Sequence, residues 1–214
     1  MPQGYVKVAD LPQVIPVFPL AGVLLLPRGQ LPLNIFEPRY LQMLDDALRS
    51  GERLIGMIQP IGEGLASIGT AGRISMFSEN DDGRMMISLR AISRFRLVEV
   101  IEGFTPYLRG RVDWAPYRAD LRAAVPDDPD FDRPGFMERL GRYMTAQDLS
   151  TDWNAAEEAG DELLINSLSM LLPLGVEEKQ ALLEAETLPE RRQMLDGLME
   201  YALHGGDDDE EMLH

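Results

Sequence analysis

Three carboxylates stand close together early in the chain, Glu37, Asp45 and Asp46. Paired carboxylates can hydrolyse bonds when their environments separate their proton affinities. A plainer reading fits the same residues: Glu37 suits a helix N-terminus, where unpaired amides attract negative charge, and Asp45 and Asp46 face water. Asp127, Asp128, Asp130 and Asp132 have calcium-ligand chemistry but lack the central glycine and terminal glutamate of a calcium loop, and read as a solvated linker. Gly62 and Gly64 begin a dinucleotide-type loop whose third glycine would fall at Ser67, and no Gly-Lys pair is present to form a phosphate loop. No metal and no cofactor are expected.

Covalent catalysis has few candidates. There is no cysteine, so thiolate nucleophiles, disulfides and zinc-thiolate sites are excluded together. The two histidines, His204 and His214, lie at the end of the chain, so a Ser-His-Asp triad would have to be built from a tail. Lys7 and Lys179 are the two lysines, and Lys179 sits among Glu177, Glu178 and Gln180, which leaves a Ser-Lys dyad almost no material. One basic, aromatic cluster stands out, Arg90, Arg94, Phe95 and Arg96. A strand with outward arginines and an inward Phe95 explains it, and a rim that binds peptide carboxylates or acidic segments is the functional alternative.

Charge and hydropathy bound the partners. The formal net charge is -16, which repels phosphate backbones and anionic headgroups, so neither nucleic acid nor membrane is expected as a partner. Residues 1–111 hold 12 Arg plus Lys and 11 Asp plus Glu, whereas residues 112–214 hold 8 and 25, so the acidity belongs to the second half. The longest apolar run, Val14 to Pro27, is shorter than the roughly 20 residues of a spanning helix and is broken by Pro16 and Pro19. No cationic, uninterrupted apolar leader opens the sequence, and a cytoplasmic location is expected.

Four regions follow from the periodicity. Residues 1–115 read as short strands bounded by Pro or Gly, a small barrel: Val14 to Phe18, Val23 to Leu26, Leu31 to Phe36, Leu54 to Gln59, a hairpin of Gly69 to Ser78 and Arg84 to Leu97, then Phe95 to Ile101 and Tyr107 to Trp114. Asn80 to Gly83 supply the hairpin turn. One helix opens at Pro38, carries Tyr40, Leu41, Leu44 and Leu48 on one stripe, ends near Gly51, and is expected to plug the barrel. Residues 116–134 form an acidic, Pro-rich connection. Residues 135–204 turn to a helical period, with Phe136, Leu140 and Tyr143, then Leu164, Leu168, Leu171 and Leu172, then Val176 to Ala185, and a last helix capped by Thr187 and Glu190. Residues 205–214 read as an acidic, disordered tail. The fold class is α+β, a barrel with one packed helix followed by a helical bundle.

The run from Ile15 to Leu48 resembles the start of the Lon-type substrate-binding domain, found at the N-terminus of Lon proteases, in cereblon and as free-standing bacterial proteins. Pro19, Leu20, Pro27, Pro32, Leu33, Ile35, Phe36, Glu37, Arg39 and Tyr40 carry the likeness. Ile68 to Ile74, Arg94 to Val100 and Leu171 to Leu195 resemble later parts of the same domain. The resemblance implies a PUA-like pseudobarrel followed by a helical subdomain. It also implies recognition of unfolded or tagged polypeptides, with unfolding and cleavage belonging to separate ATPase and Ser-Lys protease domains.

The expected function is thus a non-catalytic polypeptide-binding module, an adaptor in protein quality control that serves a protease or chaperone. It would use apolar barrel surface and the groove between the halves, with Phe36 and Tyr40 offering aromatic surface and Arg94 and Arg96 offering charge. Phe36 and Tyr40 have a core-packing reading as well. Two alternatives remain: a small-molecule enzyme using Glu37, Asp45 or Asp46 at the barrel rim, and a structural subunit that pairs as a homodimer through its helical half. The pure chain is expected to release no phosphate from ATP and to leave unfolded casein intact, as a phosphate assay and gel electrophoresis would show.

Overall fold

The computed structural model describes residues 7–122 and 128–204, and follows the backbone of the last helix to Glu211. The acidic tail expected over residues 205–214 therefore lies outside the residues whose side chains are described, as does Asp127. Two compact units emerge: Met1–Ala124 with Pro173–Leu183, and Val125–Leu172 with Glu184–His214.

The first unit contains β1 (Val14–Pro19), β2 (Gln30–Ile35), α1 (Pro38–Arg49), β3 (Leu54–Ile58), the short pair β4 (Pro60–Ile61) and β5 (Gly64–Leu65), β6 (Ile68–Glu79), β7 (Met85–Ile101) and β8 (Leu108–Asp113). The main sheet runs β2-β7-β6-β3-β1-β8, and β7 pairs with β8 as well, so β7-β6-β3-β1-β8 closes into a barrel with β2 outside the ring. Its pairs are antiparallel apart from β1 with β3. β7 is 17 residues long, which lets its first part hold β2 and its last part close on β8. The expected strands Arg84 to Leu97 and Phe95 to Ile101 are one strand. The turn at Asn80 forms as expected: the Asn80 and Gly83 amides donate to the Arg84 and Asn80 carbonyls, and Gly83 takes φ 78°.

Phe95 organises the barrel interior. Its fully buried ring meets Trp114 edge-on at 5.8 Å and packs with Ile15, Val17, Leu54, Ile58 and Val112. Strand glycines make the room: a Cβ on Gly69 would fall 2.6 Å from the ring and 2.5 Å from the Met57 carbonyl. The expected helical plug is not found in this cluster. α1 sets its buried Tyr40, Met43, Leu44 and Ala47 elsewhere, with the Tyr40 ring 4.2 Å from that of Phe18 at the end of β1. Val23 to Leu26 is not a strand either. Leu24, Leu25 and Leu26 are buried in irregular chain between positive-φ residues Gly22 and Arg28, so the apolar run reflects burial without pairing.

A third layer covers the outer face of β7. The stretch after β8, expected as exposed connection from residue 116, begins instead as a 3₁₀ turn, Ala115–Leu121. Asp120 from that turn accepts from the Arg94 guanidinium at 2.9 and 3.0 Å and from the Arg94 backbone amide at 3.0 Å. The Tyr117 ring lies 4.5 Å from the guanidinium carbon. Arg94 also donates to the Leu183 carbonyl of α5 (Val176–Glu184), a helix expected with the helical half but packed up to Leu183 with the sheet. Further polar contacts hold α5: Lys179 Nζ donates to the Gly22 carbonyl at 3.0 Å, Gln180 to Ile68, and Gln59 to Val176 and Gln180. Burial pulls the Lys179 ammonium below its ordinary pKa.

The second unit contains α2 (Arg133–Ala146), α3 (Trp153–Glu158), α4 (Asp161–Leu171) and α6 (Leu188–Glu211). Phe136, Leu140, Tyr143, Leu164, Leu168 and Leu195 are buried as the helical period requires, but Leu171 turns outward and Leu172 inward. The capping box forms, with the Thr187 amide donating to Glu190 Oε2 and the Glu190 amide to Thr187 Oγ1. α3 has no counterpart in the sequence reading. Asp128 is not solvated: its carboxylate pairs with Arg192 at 2.8 Å, and both side chains are largely buried. Asp132 caps α2 by accepting from the Gly135 amide.

Removing one partner from a buried pair strands the other charge, so Asp120→Ala should cost about 3–5 kcal/mol in urea unfolding. The exposed Asp45–Arg49 pair, broken by Asp45→Ala, should change stability by under about 1 kcal/mol. A second test uses Tyr107, whose hydroxyl donates to Asp46 at 2.7 Å. Burial, then the hydrogen bond to Asp46, push that hydroxyl up to about 12 from the ordinary 10.0. Its contribution to stability is complete below pH 10 and is lost as the pH rises toward 12, because only the unfolded state releases the proton first. The difference in urea midpoint between wild type and Tyr107→Phe should therefore shrink across that window.

Candidate functional site

A groove of about 220 Å³ opens in the first unit where three segments meet. Phe18, Pro19 and Leu20 come from the end of β1, Leu33 to Phe36 from β2 and the residue after it, and Glu37, Arg39 and Tyr40 from the start of α1. Pro38 at the first helical position fixes the entry of α1, and the extended backbone of Glu37 turns the chain from strand to helix. Tyr40 then lies on the inward face, 7% exposed, against Phe18. Burial raises its hydroxyl pKa, with the Arg39 cation opposing.

Phe36 behaves differently. It is the last residue before the turn, with no strand partner to cover it, and is 60% exposed. The Arg84 guanidinium lies 5.7 Å from its ring centroid. Arg39 stacks over Tyr40 at 4.6 Å and pairs with Glu37 at 2.8 Å. On the neighbouring hairpin of β6 and β7, Met76, Phe77 and Met86 are each about half exposed. Met86 stands directly opposite Asn34 of β2, the strand that leads into Phe36, while Met76 and Phe77 lie one strand further, on β6.

Phe36 and Tyr40 thus share one groove, as surface and floor respectively. The two arginines do not join them. Arg94 is 4% exposed and held by Asp120, Tyr117 and Leu183, and Arg96 is exposed near the opposite end of β7, opposite Ile68 and Asp113. Arg94 does point away from the barrel interior, as its alternation with Phe95 requires, but that outward face is covered by protein. The three carboxylates also part company: Glu37 pairs with Arg39, Asp45 with Arg49, and Asp46 accepts from Tyr107 and Gln42. Glu37 is the carboxylate among the described residues lining the groove. No group of three or more His, Asp or Glu able to hold a metal occurs among the described residues.

The sequence reading passed over Phe18, Arg84 and the hairpin residues. Alternation of Met86 and Arg90 against the buried Ile87 and Leu89 was the legible signal for an exposed Met86. Phe77 carried no such signal, because it faces the same side as buried Ile87 and is uncovered only where the hairpin outruns the core. Phe36 and Tyr40 should respond differently to truncation. Tyr40→Ala should lose about 3–5 kcal/mol of unfolding free energy, whereas Phe36→Ala should stay within about 0.5 kcal/mol, both by chemical denaturation.

Comparison with known proteins places this geometry. The model of the ATP-dependent protease La (LON) substrate-binding domain matches residues 14–200. The Lon protease of Syntrophus aciditrophicus is 24% identical over 205 residues, covering 86% of this chain and 25% of that protein. Lon protease 2 of Myxococcus xanthus is 30% identical over 120 residues, covering 52% of this chain and 14% of that protein. The chain thus spans a quarter or less of the length of these relatives. A Lon N-terminal domain protein from Xanthomonas campestris superposes with a TM-score of 0.59 at 27% identity, over 85% of this chain and 96% of that one. The N-terminal domain of the Mycobacterium avium complex Lon protease gives a TM-score of 0.63 at 16% identity, over 87% and 98%, a likeness of fold alone. With a barrel, a helical unit and the matched residues spanning nearly its whole length, the chain belongs to the LON substrate-binding domain family.

Proposed function

We propose that the chain is a non-catalytic module that binds unfolded polypeptide at the groove and hairpin of its first unit, and that it serves as an adaptor delivering clients to a protease or chaperone. The carrying observation is the exposed apolar set Phe36, Met76 and Met86 beside an aromatic-floored groove, with exposed Phe77 on the other face of the hairpin. Keeping large apolar side chains in water forgoes burial energy, and their clustering marks a surface that is covered in use. Unfolded clients share exposed apolar side chains rather than one sequence, so burial is the interaction that fits them all. The substrate-binding description of the matched family supports the same reading. Its setting in this reading is the bacterial cytoplasm, in keeping with the bacterial sources of the relatives; no helix among the described residues is long and apolar enough to cross a membrane.

Fluorescence anisotropy with labelled, reduced and carboxymethylated lactalbumin tests the proposal, with the native protein as control. The unfolded form should bind and the native form should not. Phe36→Asp and Met86→Asp should each weaken binding about tenfold or more, as loss of a central apolar anchor does. Equal, negligible binding of both forms would remove the reading.

A further inference from the structure

Among the described residues, β2 is the one strand of the main sheet with a single partner, since it lies outside the closed ring and pairs with β7 alone. Which of its backbone groups face the open side can be worked out. The Ala91 amide donates to the Gly29 carbonyl at 2.9 Å, and the register pairs Leu31 with Leu89, Leu33 with Ile87 and Ile35 with Met85. Antiparallel pairing alternates, so Leu31, Leu33 and Ile35 bond to β7 while Gln30, Pro32 and Asn34 turn their amides and carbonyls the other way. Pro32 sits where an outward N–H would be, the position at which an edge strand tolerates proline. All three outward residues are exposed.

The groove runs beside this same edge, because Leu33 to Phe36 form one of its walls. At the other end of β2, Gln30 stands opposite Arg90, and Arg90 stands opposite Arg73 across β6. Arg90 is exposed, so it presents a cation at that end of the edge. One end of the edge therefore favours an apolar side chain and the other an anionic one.

We propose that the open edge of β2 takes an extended polypeptide segment by β-strand addition, with an apolar side chain in the Phe18–Tyr40 groove and an acidic side chain beside Arg90. This rests on the polypeptide-binding reading above and gives it a mode: the backbone ladder supplies sequence-independent affinity, while the groove and Arg90 supply preference. Charge complementarity at Arg90 argues for an acidic, extended segment. A second copy is the poorer occupant, since a six-residue edge about 20 Å long, with one donor removed by Pro32, cannot by itself bury the ~1,200 Å² of a stable dimer.

The test uses a fluorescein-labelled octapeptide of alternating threonine and valine containing one leucine and one glutamate, titrated against the full chain. Two N-methylated versions block alternate backbone amides in opposite phases and leave the side chains unchanged. One phase should weaken binding about tenfold or more and the other less than about threefold, because only alternate amides of an added strand face β2. Asn34→Pro removes the outward donor without touching the β7 ladder, and should weaken the parent peptide similarly while the circular dichroism and melting temperature stay near wild type. A lysine-for-glutamate peptide should bind more weakly to wild type but not to Arg90→Ala. If both phases and Asn34→Pro bind the parent normally while Phe36→Asp still abolishes lactalbumin binding, strand addition is overturned and the broader function stands. If wild type retains neither the octapeptide nor unfolded lactalbumin, both fall. Sedimentation showing a dimer that Asn34→Pro dissolves would assign the edge to a second copy and also overturn the proposal.

Discussion

The buried guanidinium of Arg94 is the contact on which the outer layers of the first unit depend. A cation out of water is tolerated only where hydrogen bonds and a counter-charge replace its hydration, and Asp120 and the Leu183 carbonyl do so here. Those partners come from a 3₁₀ turn and from a helix far along the chain, so one side chain ties both to β7. The next residue, Phe95, faces the opposite way into the glycine-walled interior. Two successive positions of a single strand thus set the barrel core and the layer outside it.

The surface proposed to bind polypeptide follows from how the barrel closes. A ring of strands has no edges, and side chains fill its interior. β7 is longer than closure on β8 requires, and its first part extends out with β6 as a hairpin. That extension carries β2, whose far side pairs with no strand among the described residues, and it exposes Met76, Phe77 and Met86. Open backbone and uncovered apolar side chains therefore occur together, on the part of the sheet that the ring leaves out. α1 completes the surface by bringing Tyr40 under Phe18 and leaving Phe36 at the turn in water.

Membership of the LON substrate-binding domain family accords with a surface of this kind and assigns no reacting group. The groove is lined by aromatic and aliphatic side chains, Asn34, and a carboxylate already paired with an arginine. Glu37, Asp45 and Asp46, close in sequence, take separate partners because a helix turns successive residues to different sides. A binding role needs none of them free.

Local patterns determined a good deal from the sequence alone. Short apolar runs bounded by Pro or Gly marked β1 and β2, alternation marked β7, Asn80 to Gly83 marked the hairpin turn, Pro38 opened α1, and Thr187 with Glu190 capped α6, because each depends on neighbours within a few residues. The motif from Pro19 to Tyr40 carried the family resemblance and included Phe36 and Tyr40 of the groove, though not Phe18. What separated Phe36 from Tyr40, and Arg94 from Arg96, was decided only by tertiary structure. A two-residue period says which face of a strand a side chain takes, but whether that face meets water depends on segments that arrive from elsewhere in the chain. Asp120 and α5 arrive over Arg94, while among the described residues no strand pairs with the far edge of β2, and burial, the term that makes one arginine structural and one phenylalanine available, is a property of that arrangement.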